Sequence, residues 1–176
     1  MLDQERLISE LRSALAHLGD PPYLEDHPLA GRISNLGPPP GLSRGQALRR
    51  TLRLAIAALD PGASNASSVL QARAYQCLYR FAISRESMQA IASEQGISRR
   101  QAYRELRRGI TALAQILSDL IAISNGEKPS VNMQAAVHAG RLREELERLS
   151  TERLEEFDLT QLVTGAIATA QHLADH

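Results

Sequence analysis

The residues best suited to chemistry in this 176-residue chain are the arginines that follow a glycine turn near its middle. The segment 87–108 reads SMQAIASEQGISRRQAYRELRR, with apolar residues at helical spacing on both sides of the turn. Ser87 and Ser98 can cap the two helices, and Gln101 completes a capping-box pattern with Ser98. Gly96 can adopt the positive φ that ends the first helix. The pattern predicts a helix-turn-helix.

The second of these helices would present polar side chains where a recognition helix meets the base edges of DNA. Arginine pairs well with guanine and glutamine with adenine, whereas arginines further along the helix would meet phosphates. We expect double-stranded DNA as the partner, bound by Ser98, Arg99, Arg100, Gln101, Tyr103, Arg104, Arg107 and Arg108. For Tyr103, packing in the core or in the seam is a stronger expectation than base contact. An ordinary helical hairpin with a solvated arginine face is the alternative.

The charge distribution agrees with a nucleic-acid partner even though the formal net charge is zero. Residues 87–113 carry five arginines against Glu94 and Glu105, whereas residues 141–176 carry four arginines against eight acidic residues. A basic segment and an acidic tail therefore cancel in the sum.

The composition indicates an all-α protein, because 43% of the residues are hydrophobic and only 3% are aromatic. The predicted helices cover residues 2–18, 43–59, 68–83, 88–95, 99–123, 131–154 and 160–174. We expect four regions: an N-terminal helical region with a Pro/Gly-rich loop at 20–45 and one helical turn near 29–33, the helix-turn-helix domain, a long helical hairpin and a C-terminal helix. Their predicted bounds are 1–62, 63–109, 110–156 and 157–176.

The recognition helix continues into an apolar seam with heptad spacing. A second seam lies on the predicted helix 131–154, and the two helices would form an antiparallel hairpin. Two such hairpins would bury both seams in a dimeric four-helix bundle, so we expect a homodimer. The residues assigned to dimerisation are Leu106, Ile110, Leu113, Leu117, Leu120, Leu142 and Leu149.

The helix-turn-helix segment resembles region 4 of bacterial sigma factors and the related LuxR-type domains. The resemblance rests on Ser87, Ile91-Ala92, Gly96-Ile97-Ser98 and Leu106 and covers about 25 residues. It implies a transcription regulator. It also implies an alternative, a protein-interaction module that contacts RNA polymerase or a sigma or anti-sigma partner.

A wider resemblance links the chain to bacterial proteins that join such a domain to a histidine-kinase-type ATPase domain. It rests on His17 to Pro21, His27-Pro28-Leu29, Leu48-Arg49-Arg50 and Ser98 to Arg108. Residues 142–176, especially Phe157 to Val163, look like the lead-in to that ATPase domain, whose Asn box and Gly-rich lid do not follow. The resemblance implies the regulatory half of a kinase-like ATPase, as a truncated piece or as a member without the kinase half.

Other chemistry is weakly indicated. The single cysteine, Cys77, excludes an internal disulfide and is expected to be a buried apolar residue. His172 and His176 have metal-ligand spacing but lie at the end of the chain, so no metal site is expected. His138 is followed by Ala139 rather than by the acidic residue of a phosphoacceptor motif, and a packing role is expected.

No nucleophile triad, P-loop or carboxylate pair is present in the sequence, so we expect neither an enzyme nor a cofactor. The N-terminus does not resemble a signal peptide, and no run of eighteen apolar residues occurs, so a cytoplasmic protein is expected.

Overall fold

The computed structural model describes residues 2–34, 41–61, 69–127 and 135–149, and within these ranges the chain is helical with no strands. The all-α prediction is therefore confirmed. The helices are α1 (Leu2–Ala16), α2 (Pro21–Glu25), α3 (Pro28–Ser34), α4 (Arg44–Ala58), α5 (Val69–Ala82), α6 (Met88–Glu94), α7 (Arg99–Ser124) and α8 (135–149). Five helices predicted from periodicity correspond to α1, α4, α5, α6 and α7. Each begins and ends within two residues of its predicted bounds. The predicted helix 160–174 lies outside the described residues.

The Pro/Gly-rich segment 20–45 was predicted as a loop with one helical turn, but it contains both α2 and α3. Asp20 caps α2, accepting a hydrogen bond from Tyr23 N over 3.2 Å. Prolines occupy the first two positions of α2, where a backbone N–H would have no partner within the helix. Proline therefore starts a helix here rather than preventing one.

The beginning of α4 is held by a carboxylate from α2. Glu25 accepts hydrogen bonds from Arg44 N over 3.1 Å and from Gly45 N over 2.8 Å. A side chain at position 45 would collide with the α2 backbone, so glycine permits this approach. Ser43 and Gln46 form a complete capping box at the same helix end. Hydrogen bonds to the Ser43 side chain, which has the larger effect, and to the Gly45 backbone lower the pKa of Glu25.

The core is continuous from α1 to α8, and α7 runs through its middle. The core contains residues on both sides of the domain boundaries predicted at residues 62 and 109. Helix α7 continues unbroken across the second of these boundaries. Buried leucines and isoleucines of α1, α3, α4, α5, α6 and α7 belong to one apolar cluster, together with Ala135, Ala139 and Leu142 of α8.

The apolar seam of α7 is buried within a single chain, not left as a free face. Ile110 and Leu113 are fully buried, and α1, α4 and α5 all pack against α7. The other predicted dimerisation residues Leu106, Leu117, Leu120 and Leu142 are also buried, whereas Leu149 is half-buried. The seam was expected to need a second copy for burial; α1, α4 and α5 provide that burial instead. The homodimer itself stays a prediction.

The predicted antiparallel hairpin of α7 and α8 stays a prediction, and two observations place described α8 beside α7. Ala135 and His138, near the beginning of described α8, line one cleft with Gly109 and Ile116 of α7. One to two turns later, Arg143 donates to the carbonyl of Ile123, near the end of α7, over 3.2 Å. Described α8 therefore lies along the second half of α7.

Candidate nucleic-acid interface

A tight turn joins α6 to α7, and each of the two helices starts with a serine cap. Ser87 Oγ accepts from Ala90 N, and Ser98 Oγ accepts from Gln101 N, each over 3.2 Å. Gly96 has a φ of 62°, the left-handed conformation predicted for it. Both predicted caps are confirmed. Of the capping box expected at Ser98, the structure contains the serine half.

Small residues let α5, α6 and α7 approach closely. Ala92 and Ala102, expected at the crossing of α6 and α7, are 2% and 0% exposed. Gly109 has the same role where α7 crosses α5, since a Cβ there would lie 2.8 Å from the Ala74 carbonyl oxygen. The contribution of Gly109 was not predicted. These contacts fix the direction in which the first turns of α7 leave the core.

Arg80 of α5 connects α5 to both ends of α6. Its guanidinium donates to Glu86 over 3.2 Å and makes two contacts with the Glu94 carboxylate. Hydrogen bonding to Arg80 lowers the pKa of Glu94, so this carboxylate stays ionised. Glu94 therefore does not offset the positive charge of the α7 arginines, because Arg80 already neutralises it.

Five arginines are exposed on the first half of α7, and four of them form no ion pair in the described structure: Arg99, Arg100, Arg104 and Arg107. Within the described part of the chain, no carboxylate lies within ion-pair distance of any of these four. Gln101 is half-buried beside them, and Ser98 is exposed at the cap. The structure thus brings the predicted base-contacting residues to one helix end.

Tyr103 was expected to pack in the core or in the seam, and the structure places it outside the core of the chain. The side chain is 48% exposed, and its ring lies beneath the guanidinium of Arg99, with 5.7 Å from Arg99 Cζ to the ring centroid. Such a cation–π contact orients the arginine without neutralising it. Tyr103 therefore belongs to the exposed face together with Arg99.

Arg108 differs from the four free arginines. Its Nη1 donates to Glu105 Oε1 over 2.9 Å, one turn earlier in the helix. The Glu105 side chain is only 4% exposed, and its Oε2 has no hydrogen-bond partner among the described residues. Arg108 thus compensates a buried carboxylate, although it was grouped with Arg107 as a phosphate contact. Arg104, Arg107 and Arg108 also line a shallow groove that continues to Thr111 and Gln115.

Neither a family model, nor a curated protein, nor a solved structure matches the chain. The resemblance to sigma region 4 and LuxR-type domains therefore rests on the residues quoted for it.

Other candidate groups are less suggestive. Among the described residues, no cluster of three or more histidine, cysteine or acidic side chains is arranged to hold a metal ion, and His172 and His176 lie outside them. Cys77 is buried, and burial raises its pKa, as expected for an unreactive thiol. Burial lowers the pKa of His138, which is half-buried. No described helix is both long and apolar enough to cross a bilayer.

Proposed function

We propose that the chain is a sequence-specific DNA-binding transcription regulator, in which α6, the turn at 95–98 and α7 act as a helix-turn-helix. One observation carries the proposal. Within the described segment 99–108, the exposed face holds five arginines and no exposed carboxylate, because the only acid there, Glu105, is buried. A face of this kind attracts the phosphate backbone of DNA.

The position of the arginines along α7 supports a division of roles. Arg99, Arg100 and Arg104 lie in the first two turns, where a recognition helix meets base edges. Each guanidinium can donate two hydrogen bonds to guanine, and each such pair contributes about 1–3 kcal/mol of discrimination. Arg107 lies a turn further along, where phosphate contact is the expected role.

The helix end adds to the electrostatic attraction. The N-terminus of a helix carries a partial positive charge and N–H groups without partners, both of which favour phosphate oxygens. Ser98 occupies the cap position of a 26-residue helix that the core holds along most of its length. The reading end would therefore be presented on a rigid element, which improves the precision of base contacts.

The test is selection of bound duplexes from a random pool by the full chain, followed by affinity measurements on the selected site. The proposal predicts an enriched sequence. It also predicts that Arg100→Ala weakens binding to that site more than binding to unrelated DNA, whereas Arg12→Ala, which removes an exposed arginine of α1, changes neither. Enrichment of no sequence would contradict specific reading.

A second candidate function is contact with RNA polymerase or a sigma or anti-sigma partner. The exposed pair of Arg99 and Tyr103 favours it, because arginine and tyrosine are enriched at protein interfaces. Binding through such an interface depends only weakly on salt, whereas DNA binding depends on it steeply. A homodimer, if the regulator forms one, would need a surface other than the buried seam of α7.

A further inference from the structure

A second basic surface lies at the junction of α1, α4 and α5. Arg49 and Arg53 of α4 and Arg85, in the turn before α6, line one depression of about 180 Å³. The floor is formed by Leu18 and Gly19 after α1, together with Ala82 and Ile83 at the end of α5. We call these three arginines and this floor the arginine cleft.

The charges of the arginine cleft are uncompensated. Within the described residues, no carboxylate forms an ion pair with Arg49, Arg53 or Arg85. Two acids, Asp20 and Glu86, line a neighbouring depression that Arg85 also lines, and both have partners of their own. Asp20 caps α2, and Glu86 is bound to Arg80.

Arg85 is held in the cleft by an unusual backbone. Its φ of 58° lies in the left-handed region, where glycine is the ordinary residue. Its guanidinium occupies the space that a side chain at position 19 would take, so Gly19 makes room for it. The left-handed backbone of Arg85 and the space left at Gly19 together place the Arg85 guanidinium in the same depression as Arg49 and Arg53.

We propose that the arginine cleft binds a phosphate group. Three guanidinium groups supply convergent N–H donors and up to three positive charges, which match the oxygens and the charge of phosphate better than those of a single carboxylate. The cleft is a different site from the face of α7, and the proposal does not rest on the proposed function. The phosphate group could be carried by a DNA backbone or by a small phosphorylated molecule.

The test is calorimetric titration of inorganic pyrophosphate into the full chain at low ionic strength. The wild-type chain and the control Arg12→Gln are expected to bind equally, whereas Arg53→Gln and Arg85→Gln are expected to lose about tenfold in affinity. Gly19→Ala keeps all three charges but displaces the Arg85 guanidinium, so a severalfold loss is expected. Absence of binding by the wild-type chain, or equal affinity in all variants, would overturn the proposal.

Duplex DNA distinguishes the two sources of phosphate. Weaker DNA binding by Arg53→Gln, with competition by pyrophosphate, would assign the cleft to the DNA backbone. Unchanged DNA binding alongside lost pyrophosphate binding would assign it to a small phosphorylated ligand. A wild-type chain that binds pyrophosphate but no duplex would contradict the proposed function and leave the arginine cleft in place.

Discussion

Arg108 donates to the buried carboxylate of Glu105 over 2.9 Å, so the one acid of segment 99–108 lies beneath the arginine face and not on it. This pairing separates two neighbouring arginines that look equivalent in the sequence. Arg107 is exposed and free of ion pairs in the described structure, whereas Arg108 compensates Glu105. Replacing each in turn should therefore have different effects.

Arg107→Gln should weaken DNA binding with little effect on folding, and Arg108→Gln should do the opposite. Loss of the Arg108 partner leaves a buried carboxylate uncompensated, which we expect to lower the free energy of unfolding by about 1 kcal/mol, since Arg108 itself is largely exposed. Urea unfolding and DNA anisotropy titrations measure the two quantities. The same pattern in both variants would contradict the separate roles.

Arg104→Ala should reduce affinity for the selected site by about 1–3 kcal/mol, roughly 5- to 150-fold, through loss of a base-edge contact. Its affinity for unrelated duplexes should fall much less. Arg73→Ala removes an exposed arginine of α5 and serves as the matched control. Equal losses on specific and unrelated DNA would move Arg104 from base reading to phosphate contact.

Leu113→Ala should destabilise the chain by about 2–5 kcal/mol, because Leu113 is fully buried in the core around α7. The variant Leu70→Ala, at a 56% exposed leucine of α5, should change stability much less. The melting temperature of the wild-type chain should not depend on protein concentration, since this core is complete within one chain. A strong concentration dependence, reduced by Leu113→Ala, would show that the seam also packs between copies.

Glu94→Gln should destabilise the chain at neutral pH but not in acid. Because Arg80 lowers the pKa of Glu94, its ionised form stabilises the fold above the ordinary value of 4.5. That stabilisation is lost as the pH falls through the lowered pKa of the folded state, where Glu94 becomes protonated. Thermal melts of both proteins at about pH 7 and about pH 3 measure the difference. An equal gap at both pH values would exclude the Arg80 pair as its cause.

The helices could be predicted from the sequence because apolar spacing and caps are local properties. The α7 seam shows the limit of prediction from local properties. The same apolar stripe can be buried either by α1, α4 and α5 or by a second copy of the chain. The pairing of α8 with α7 is likewise a tertiary relationship, which periodicity does not specify.

Within the site, Tyr103 is exposed and Glu105 is buried, an arrangement that residue type alone does not indicate. Residues 102, 105, 106 and 109 fall on one row at steps of three and four, so the small residues Ala102 and Gly109 already place Glu105 on the buried side. Tyr103 lies off that row. The spacing of Glu105 from these two small residues predicts that it is buried, whereas its charge alone predicts an exposed side chain. The arginine cleft had no such signal, because residues 19, 49, 53 and 85 meet only through the tertiary fold.

The affinity of the full chain for its selected duplex, measured as a function of salt concentration, shows whether the arginines of α7 bind DNA. Each arginine bound to a phosphate adds about 0.9 to the negative slope of log K against log salt. For a face with several free arginines, the account predicts a steep negative slope that becomes shallower by about one in Arg107→Gln. A salt-independent affinity, or a slope that Arg107→Gln leaves unchanged, would contradict it.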